Sequence, residues 1–171
     1  VPAEARAARV CYLALVSLAR RAEAIEIVER TRERLRTHRT DPHVLRLDRH
    51  LAVQYNWDRR FDLAATIVDE MLIDAERAGL VELVLEGLTV KGSVLYAQRR
   101  VFESRALREF VARVAPDIGR TDLADNAASD LALLLMDEDP GALVRLMEPV
   151  LEADRRTGNR FKLVVDTCNT S

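Results

Sequence analysis

The chain has 171 residues, of which 49% are hydrophobic and 32% are charged, so it has enough apolar material for a folded core and is not generally disordered. Its 26 basic side chains nearly balance 28 acidic ones, and the resulting net charge of −2 argues against a dedicated nucleic-acid binder. Aromatic residues are only 5% and β-branched residues do not cluster, which argues against an all-β fold. No apolar run approaches the roughly 20 residues of a membrane span.

Apolar residues recur at helical spacing through nearly the whole chain. Asp41-Pro42 and Asp139-Pro140 are typical helix starts, because each pairs an N-cap residue with a proline in the first turn. The pattern predicts nine helices and no strand. In chain order, the predicted helices cover residues 3–19, 21–38, 42–57, 60–78, 81–98, 102–117, 122–136, 140–157 and 160–170.

Two independent features of the sequence repeat with the same long period. Gly79, Gly119 and Gly158 each follow a long helical segment, at intervals of about 40 residues, and suit the left-handed position after a helix. Three arginine pairs lie between helical segments, again at intervals of about 40 residues. They are Arg20-Arg21, Arg59-Arg60 and Arg99-Arg100. We expect the glycines at the turns between helix pairs and the arginines at the turns within them.

These periods predict an all-α protein that forms one right-handed α-solenoid. It would contain about four antiparallel helix pairs, in units of about 1–40, 41–80, 81–120 and 121–158, followed by the start of another unit at 159–171. A helix pair of this kind cannot bury its apolar face alone, so neighbouring pairs must stack. The chain lacks an initiator methionine and stops without a terminating signal, and we expect it to be a fragment of a longer protein.

The segment Leu51-Ala52-x-x-Tyr55, followed by Ala64, resembles the packing positions of tetratricopeptide repeats. In the next copy Gly92 and Leu95 occupy the corresponding positions. The standard repeat is shorter than the period found here, at about 34 residues. The resemblance implies a TPR-like superhelix that binds a protein or peptide.

A narrower resemblance concerns the helical-repeat regions of large bacterial signalling and transcription regulators. It rests on the runs Ala75-Glu76-Arg77 and Ala153-Asp154-Arg155, which precede Gly79 and Gly158. Such regulators join a nucleotide-cyclase or ATPase module to the repeats. The resemblance implies a cytoplasmic, non-catalytic regulatory or sensor module, whose partner is another protein, a peptide or a neighbouring domain of the same chain.

The candidate partner-binding residues fall into two groups. From the resemblance, the groove lined by first helices would present Arg46, Arg49 and Asn56, with Lys91 and Asn126 on later repeats. The arginine pairs form the second group, in which Arg59, Arg60, Arg99 and Arg100 would build a basic ridge that docks an acidic partner. Solvated turn charges are the simpler interpretation of these pairs.

Catalytic, cofactor and metal motifs are not found in the sequence. There is no GxSxG, phosphate-binding loop or HExxH pattern. His38, His43 and His50 cluster in the sequence, but we interpret them as exposed or interface side chains. The acidic run at Asp137, Glu138 and Asp139 is interpreted as helix capping.

The two cysteines, Cys11 and Cys168, lie at opposite ends of the chain and form no CxxC or Cys/His ligand set. We expect both to be small buried hydrophobes in a reducing compartment.

Three further interpretations stay open. The chain can be a self-associating scaffold, a homodimer joined through exposed solenoid ends such as Phe161, Leu163, Val164 and Val165. Alternatively, it can be a small-molecule or peptide receptor formed between repeats. The third is an enzyme of an unrecognised helical class, which a deep polar pocket with convergent ionisable groups would favour and a shallow groove would not.

Overall fold

The computed structural model describes residues 2–135 and 140–158. The described part is all-helical, with eight α-helices, one 3-10 turn and no strand. The helices are α1 (Pro2–Ser17), α2 (Arg21–Arg34), α3 (Pro42–Trp57), α4 (Phe61–Arg77), α5 (Val81–Ala97), α6 (Val101–Val114), α7 (Thr121–Leu135) and α8 (Pro140–Thr157). The all-α prediction is therefore confirmed. The predicted ninth helix at 160–170 lies outside the described residues, as do Asp137, Glu138, Asp139, Cys168 and the apolar group from Phe161 to Val165.

Internal contacts divide the chain into two compact units, Val1–Arg100 and Val101–Ser171. In the first unit, α3 is the central helix, because it contacts α1, α2, α4 and α5. Its Val44, Leu47, Leu51 and Ala52 belong to the main apolar core, which extends from Ala5 of α1 to Val94 of α5. A smaller cluster of Leu45, Met71, Ala75 and Leu83 joins α3, α4 and α5.

In the second unit, α7 packs against both α6 and α8. Ala128 and Ala132 of α7 form an apolar cluster with Met147 and Val150 of α8. Buried Arg108 on α6 forms an ion pair with Asp130 on α7 and donates a 3.0 Å hydrogen bond to Ser104. A buried charge of this kind needs such a partner, because removal from water is costly.

The same turn closes five of the helical segments. A residue just after the segment adopts a left-handed φ, and the following N–H reaches the carbonyl five residues back, as in a Schellman motif. The left-handed residues are Ala19 (φ 58°), Arg59 (61°), Gly79 (67°), Arg99 (64°) and Gly119 (74°). The closing bonds measure 2.8–2.9 Å, from Arg20, Arg60, Leu80, Arg100 and Arg120. The predicted glycine positions are confirmed, including Gly158 at φ 69°.

The arginine pairs also lie at turns, but their register differs. Arg59 and Arg99 occupy the left-handed position itself, whereas Ala19 does so in the first turn and Arg20-Arg21 follows it. The first arginine pair is therefore displaced by one residue from the left-handed position that Arg59 and Arg99 occupy, although the three pairs recur about every 40 residues.

Two helix ends differ from the predicted ones by three or four residues. Helix α2 ends at Arg34 and not at residue 38, since Leu35 is its C-cap and the N–H groups of Arg36, His38 and Asp41 each bond the carbonyl three residues back. No Gly or Pro marks that end, so the periodic pattern continues past it. Helix α6 ends at Val114 and tightens into the 3-10 turn Ala115–Ile118, because Pro116 has no N–H to continue the α-helical bonding.

Candidate functional site

Two arginines predicted on the basis of the resemblance face carboxylates of α5. Arg46 Nη2 lies 3.8 Å from Glu82 Oε1, and Arg49 Nε lies 3.3 Å from Glu86 Oε2. Glu86 is buried, so the second pair is partly withdrawn from solvent. Their charges are already matched within the fold, which weakens the expectation that they grip a peptide carboxylate.

The other three predicted groove residues lie on different elements and in different environments. Lys91 on α5 forms an ion pair with Asp69 of α4. Asn56 is half-buried at the end of α3, and its side-chain oxygen is buried without a hydrogen bond. Asn126 is exposed on α7, in the second unit.

The side chains of the arginine pairs are exposed, and two of them cover aromatic rings. The Arg21 guanidinium lies 5.3 Å from the centroid of Trp57, and that of Arg60 lies 4.3 Å from the centroid of Tyr55. Both distances are in the cation–π range. Arg59 and Arg99 are exposed at their turns, and the docking ridge stays a prediction.

The three histidines occupy different environments. His38 is exposed beside Thr37, and His43 is half-buried in the first turn of α3. His50 packs against the ring of Tyr12 with centroids 4.5 Å apart. Burial lowers the pKa of His50 to about 4, and the nearby charges of Arg49 and Arg9 add to this effect. In the part of the chain that the structure describes, no group of three His, Cys, Asp or Glu side chains is arranged to hold a metal ion.

Cys11 was predicted to be buried, and that prediction is wrong. The thiol is free and exposed on α1. The neighbouring Ala8 and Tyr12 are buried in the core, so the apolar stripe of α1 passes beside Cys11 without including it.

An ion-pair network ties α2 to α3 and α4. Asp48 of α3 is fully buried, and its Oδ1 accepts a 2.7 Å hydrogen bond from Arg32 Nε of α2. Arg39 lies 3.4 Å from the other oxygen of Asp48 and donates a 3.0 Å hydrogen bond to Asp74 of α4. Both arginines also pair with Glu70 of α4. Burial raises the pKa of Asp48, while the charges of Arg32 and Arg39 act in the opposite direction.

Beside this network lies an open groove of about 260 Å³, which we call the α2–α4 groove. Its buried floor comes from α3 and from Ile67 of α4, and its more exposed walls come from α2 and from the rest of α4. The lining residues are Glu29, Arg32 and Glu33 of α2, Leu51 and Tyr55 of α3, and Leu63, Thr66, Ile67 and Glu70 of α4.

The floor of the α2–α4 groove is apolar with one polar group. Leu51 is 2% and Ile67 7% exposed, whereas Leu63 is 43% exposed at the edge. The Tyr55 hydroxyl donates a hydrogen bond to Glu29. Burial raises the pKa of Tyr55 to about 12, and its bond to the Glu29 carboxylate adds to the shift, so the phenol stays protonated and the carboxylate stays the acceptor.

The α2–α4 groove was not predicted from the sequence. Leu63 and Ile67 belong to the apolar stripe of α4, but such a stripe is typical of any packed helix. The one usable signal was Glu29 and Glu33, four residues apart and hence on one face of α2. Only tertiary packing places that face across from α4.

Among the described residues, no helix combines the length and the apolar character needed to cross a membrane. Comparison of the chain with protein-family models, with curated proteins and with solved structures gives no match.

Proposed function

We propose that the chain is a non-catalytic protein-interaction module that binds a peptide segment of a partner in the α2–α4 groove. The observation that carries this proposal is the groove itself, an open depression with an apolar floor and polar walls contributed by three helices. Such a combination suits recognition, because apolar contact supplies affinity and the polar groups fix orientation. Ion pairs to Asp48 and Asp74 hold the surrounding helices in place before any partner arrives.

The size of the groove favours a peptide over a larger small molecule. Small-molecule pockets usually enclose about 300–1,000 Å³ and bury most of the ligand. At about 260 Å³ and open to solvent, the α2–α4 groove accommodates one or two side chains of a longer segment. A peptide or an exposed loop of a folded partner meets this requirement.

We further propose that the helices form TPR-like repeats, as the sequence resemblance implies. Within the first unit, α3 contacts both α1 and α5 as well as its chain neighbours α2 and α4, a pattern that stacked antiparallel helix pairs would produce. On this proposal the chain serves as a regulatory module in the cytoplasm of a bacterium, within a multidomain signalling or transcription regulator.

The test is a selection of random peptides displayed on phage against the full chain. Selected peptides should bind the Leu63→Ser variant at least about fivefold more weakly, because roughly 1 kcal/mol of apolar contact is lost. Ile73→Ser is the matched control, since Ile73 lies on the same helix, is 50% exposed and does not line the groove. A selection that yields no binder, or equal weakening by both variants, would show the proposal to be wrong.

Self-association is a second candidate, and one observation favours it. Val10, Leu13 and Leu18 of the α1 region are 67%, 44% and 67% exposed. Val10 and Leu13 are on α1 and Leu18 follows its end, and exposed apolar side chains that form a patch are typical of interaction surfaces. Light scattering of the full chain and of a Val10→Glu, Leu18→Glu variant would decide. A monomeric mass for the unmodified chain at high concentration excludes this candidate.

A further inference from the structure

We propose that the occupant of the α2–α4 groove is a cationic side chain, arginine or lysine, presented by the partner peptide. The inference deepens the proposed function and rests on it. It follows from three features of the groove, namely its charge balance, the prior engagement of its one basic residue, and the shape of its floor.

The lining of the groove is acidic. It contains three glutamates, Glu29, Glu33 and Glu70, and a single basic side chain, Arg32. Two of these four charges are satisfied within the fold, since Arg32 binds both Glu70 and fully buried Asp48. Glu29 and Glu33 are the remaining charges of the lining, and Arg60, which borders it, lies over the ring of Tyr55.

Neither Glu29 nor Glu33 is strongly neutralised in the described contacts. Glu29 accepts a hydrogen bond from the neutral Tyr55 hydroxyl. Glu33 lies 3.7 Å from Arg36, but their side chains are 77% and 73% exposed, and such surface pairs are weak. Because these glutamates are four residues apart, their carboxylates lie on one face of α2 and can both be reached by one guanidinium or ammonium group.

The floor matches the stem of such a side chain. Arginine and lysine carry three or four methylene groups that pack on apolar surface while the charged head stays at the rim. Leu63 and Ile67 offer that surface, and the exposed Glu29 and Glu33 line the same groove. A purely apolar side chain would fill the floor but add no charged partner to the carboxylates, and an acidic one would be repelled.

The test uses the peptides selected on the full chain and their citrulline counterparts. Citrulline keeps the length and shape of arginine but removes its charge. We expect selected peptides to share an arginine or lysine, and arginine→citrulline to weaken binding about tenfold. Glu29→Gln should remove most of that difference, and it retains an oxygen that accepts the Tyr55 hydrogen bond. Glu26→Gln is the matched control, because Glu26 is exposed on α2 but does not line the groove.

The outcomes separate this inference from the proposed function. If the selected peptides bind the Leu63→Ser variant more weakly but bind equally well with arginine or citrulline, the α2–α4 groove is supported as the binding site. The same result overturns the cationic occupant. If Glu29→Gln and Glu26→Gln weaken peptide binding equally, the cationic occupant is also overturned. The charge effect would then come from the overall negative charge of α2 and not from the groove. A selection without binders overturns both. Binding that depends on Glu29 and falls as salt concentration rises supports the inference.

Discussion

The left-handed turns allow a prediction of how one residue's backbone conformation affects the free energy of unfolding, because the turns are otherwise nearly identical. Arg59 and Arg99 adopt φ 61° and 64°, essentially the value of 67° at Gly79. All three turns close with the same bond of 2.8–2.9 Å. The left-handed region costs a residue with a Cβ about 1 kcal/mol, and glycine adopts it without that cost. We therefore expect Arg59→Gly to raise the free energy of unfolding by about 1 kcal/mol, and Arg99→Gly to do the same.

The reverse change should have the opposite sign. A Cβ added at Gly79 would meet no atom within 4 Å, so Gly79→Ala introduces no steric clash and its effect is purely conformational. We expect it to lower the free energy of unfolding by about 1 kcal/mol. In thermal unfolding followed by far-ultraviolet circular dichroism, each change should move the midpoint by roughly 2–4 °C.

Arg59→Ala separates backbone strain from the loss of the arginine side chain. This variant removes the exposed guanidinium but keeps a Cβ at the left-handed position, so its stability should stay within about 0.5 kcal/mol of the original. The reasoning is refuted if Arg59→Gly is no more stable than Arg59→Ala. It is equally refuted if Gly79→Ala leaves the midpoint unchanged.

Three other predictions concern the core of the first unit. Asp48→Ala should lower the free energy of unfolding in urea by about 3 kcal/mol, because it leaves the half-buried Arg32 guanidinium without its buried carboxylate; a change below about 1 kcal/mol would contradict the network. His50 has a folded-state pKa of about 4 against an ordinary value of 6.5, so its contribution to stability is complete above pH 6.5 and is lost as the pH falls to 4. The loss amounts to about 3 kcal/mol, and urea titrations across this range should show a flatter pH dependence for His50→Gln; an unchanged slope would refute it. Finally, a Cβ at Gly87 would lie 2.8 Å from Leu72 Cδ2. Gly87→Ala should therefore stabilise the chain by about 1 kcal/mol only in a Leu72→Ala background, and equal effects in both backgrounds would argue against the contact.

Helix content and most helix bounds could be predicted from the sequence, because apolar periodicity and turn residues are local signals. The predictions were most accurate where a glycine or proline marks the boundary, as at Pro42 and Gly79. They were less accurate at Arg34, where no such residue interrupts the periodic pattern.

The candidate site was much less accessible to sequence reasoning. Arg46 and Arg49 were selected as open binding residues, yet each faces a glutamate of α5. Glu29 and Glu33 received no role, although they form one wall of the α2–α4 groove. A charge has the same appearance in a sequence whether or not a partner carboxylate from a distant part of the chain packs against it, so its availability depends on tertiary structure.

The sequence by itself determined that the chain is helical and where its regularly spaced turns fall. Both follow from backbone preferences and from the spacing of apolar residues, which act over a few positions. Tertiary structure alone decided that Asp48 is buried between two arginines, that Arg49 is matched by Glu86, and that α2 and α4 enclose an acidic groove. These outcomes depend on contacts between residues far apart in the chain, and electrostatic energies change strongly with the distance and burial that only such contacts establish.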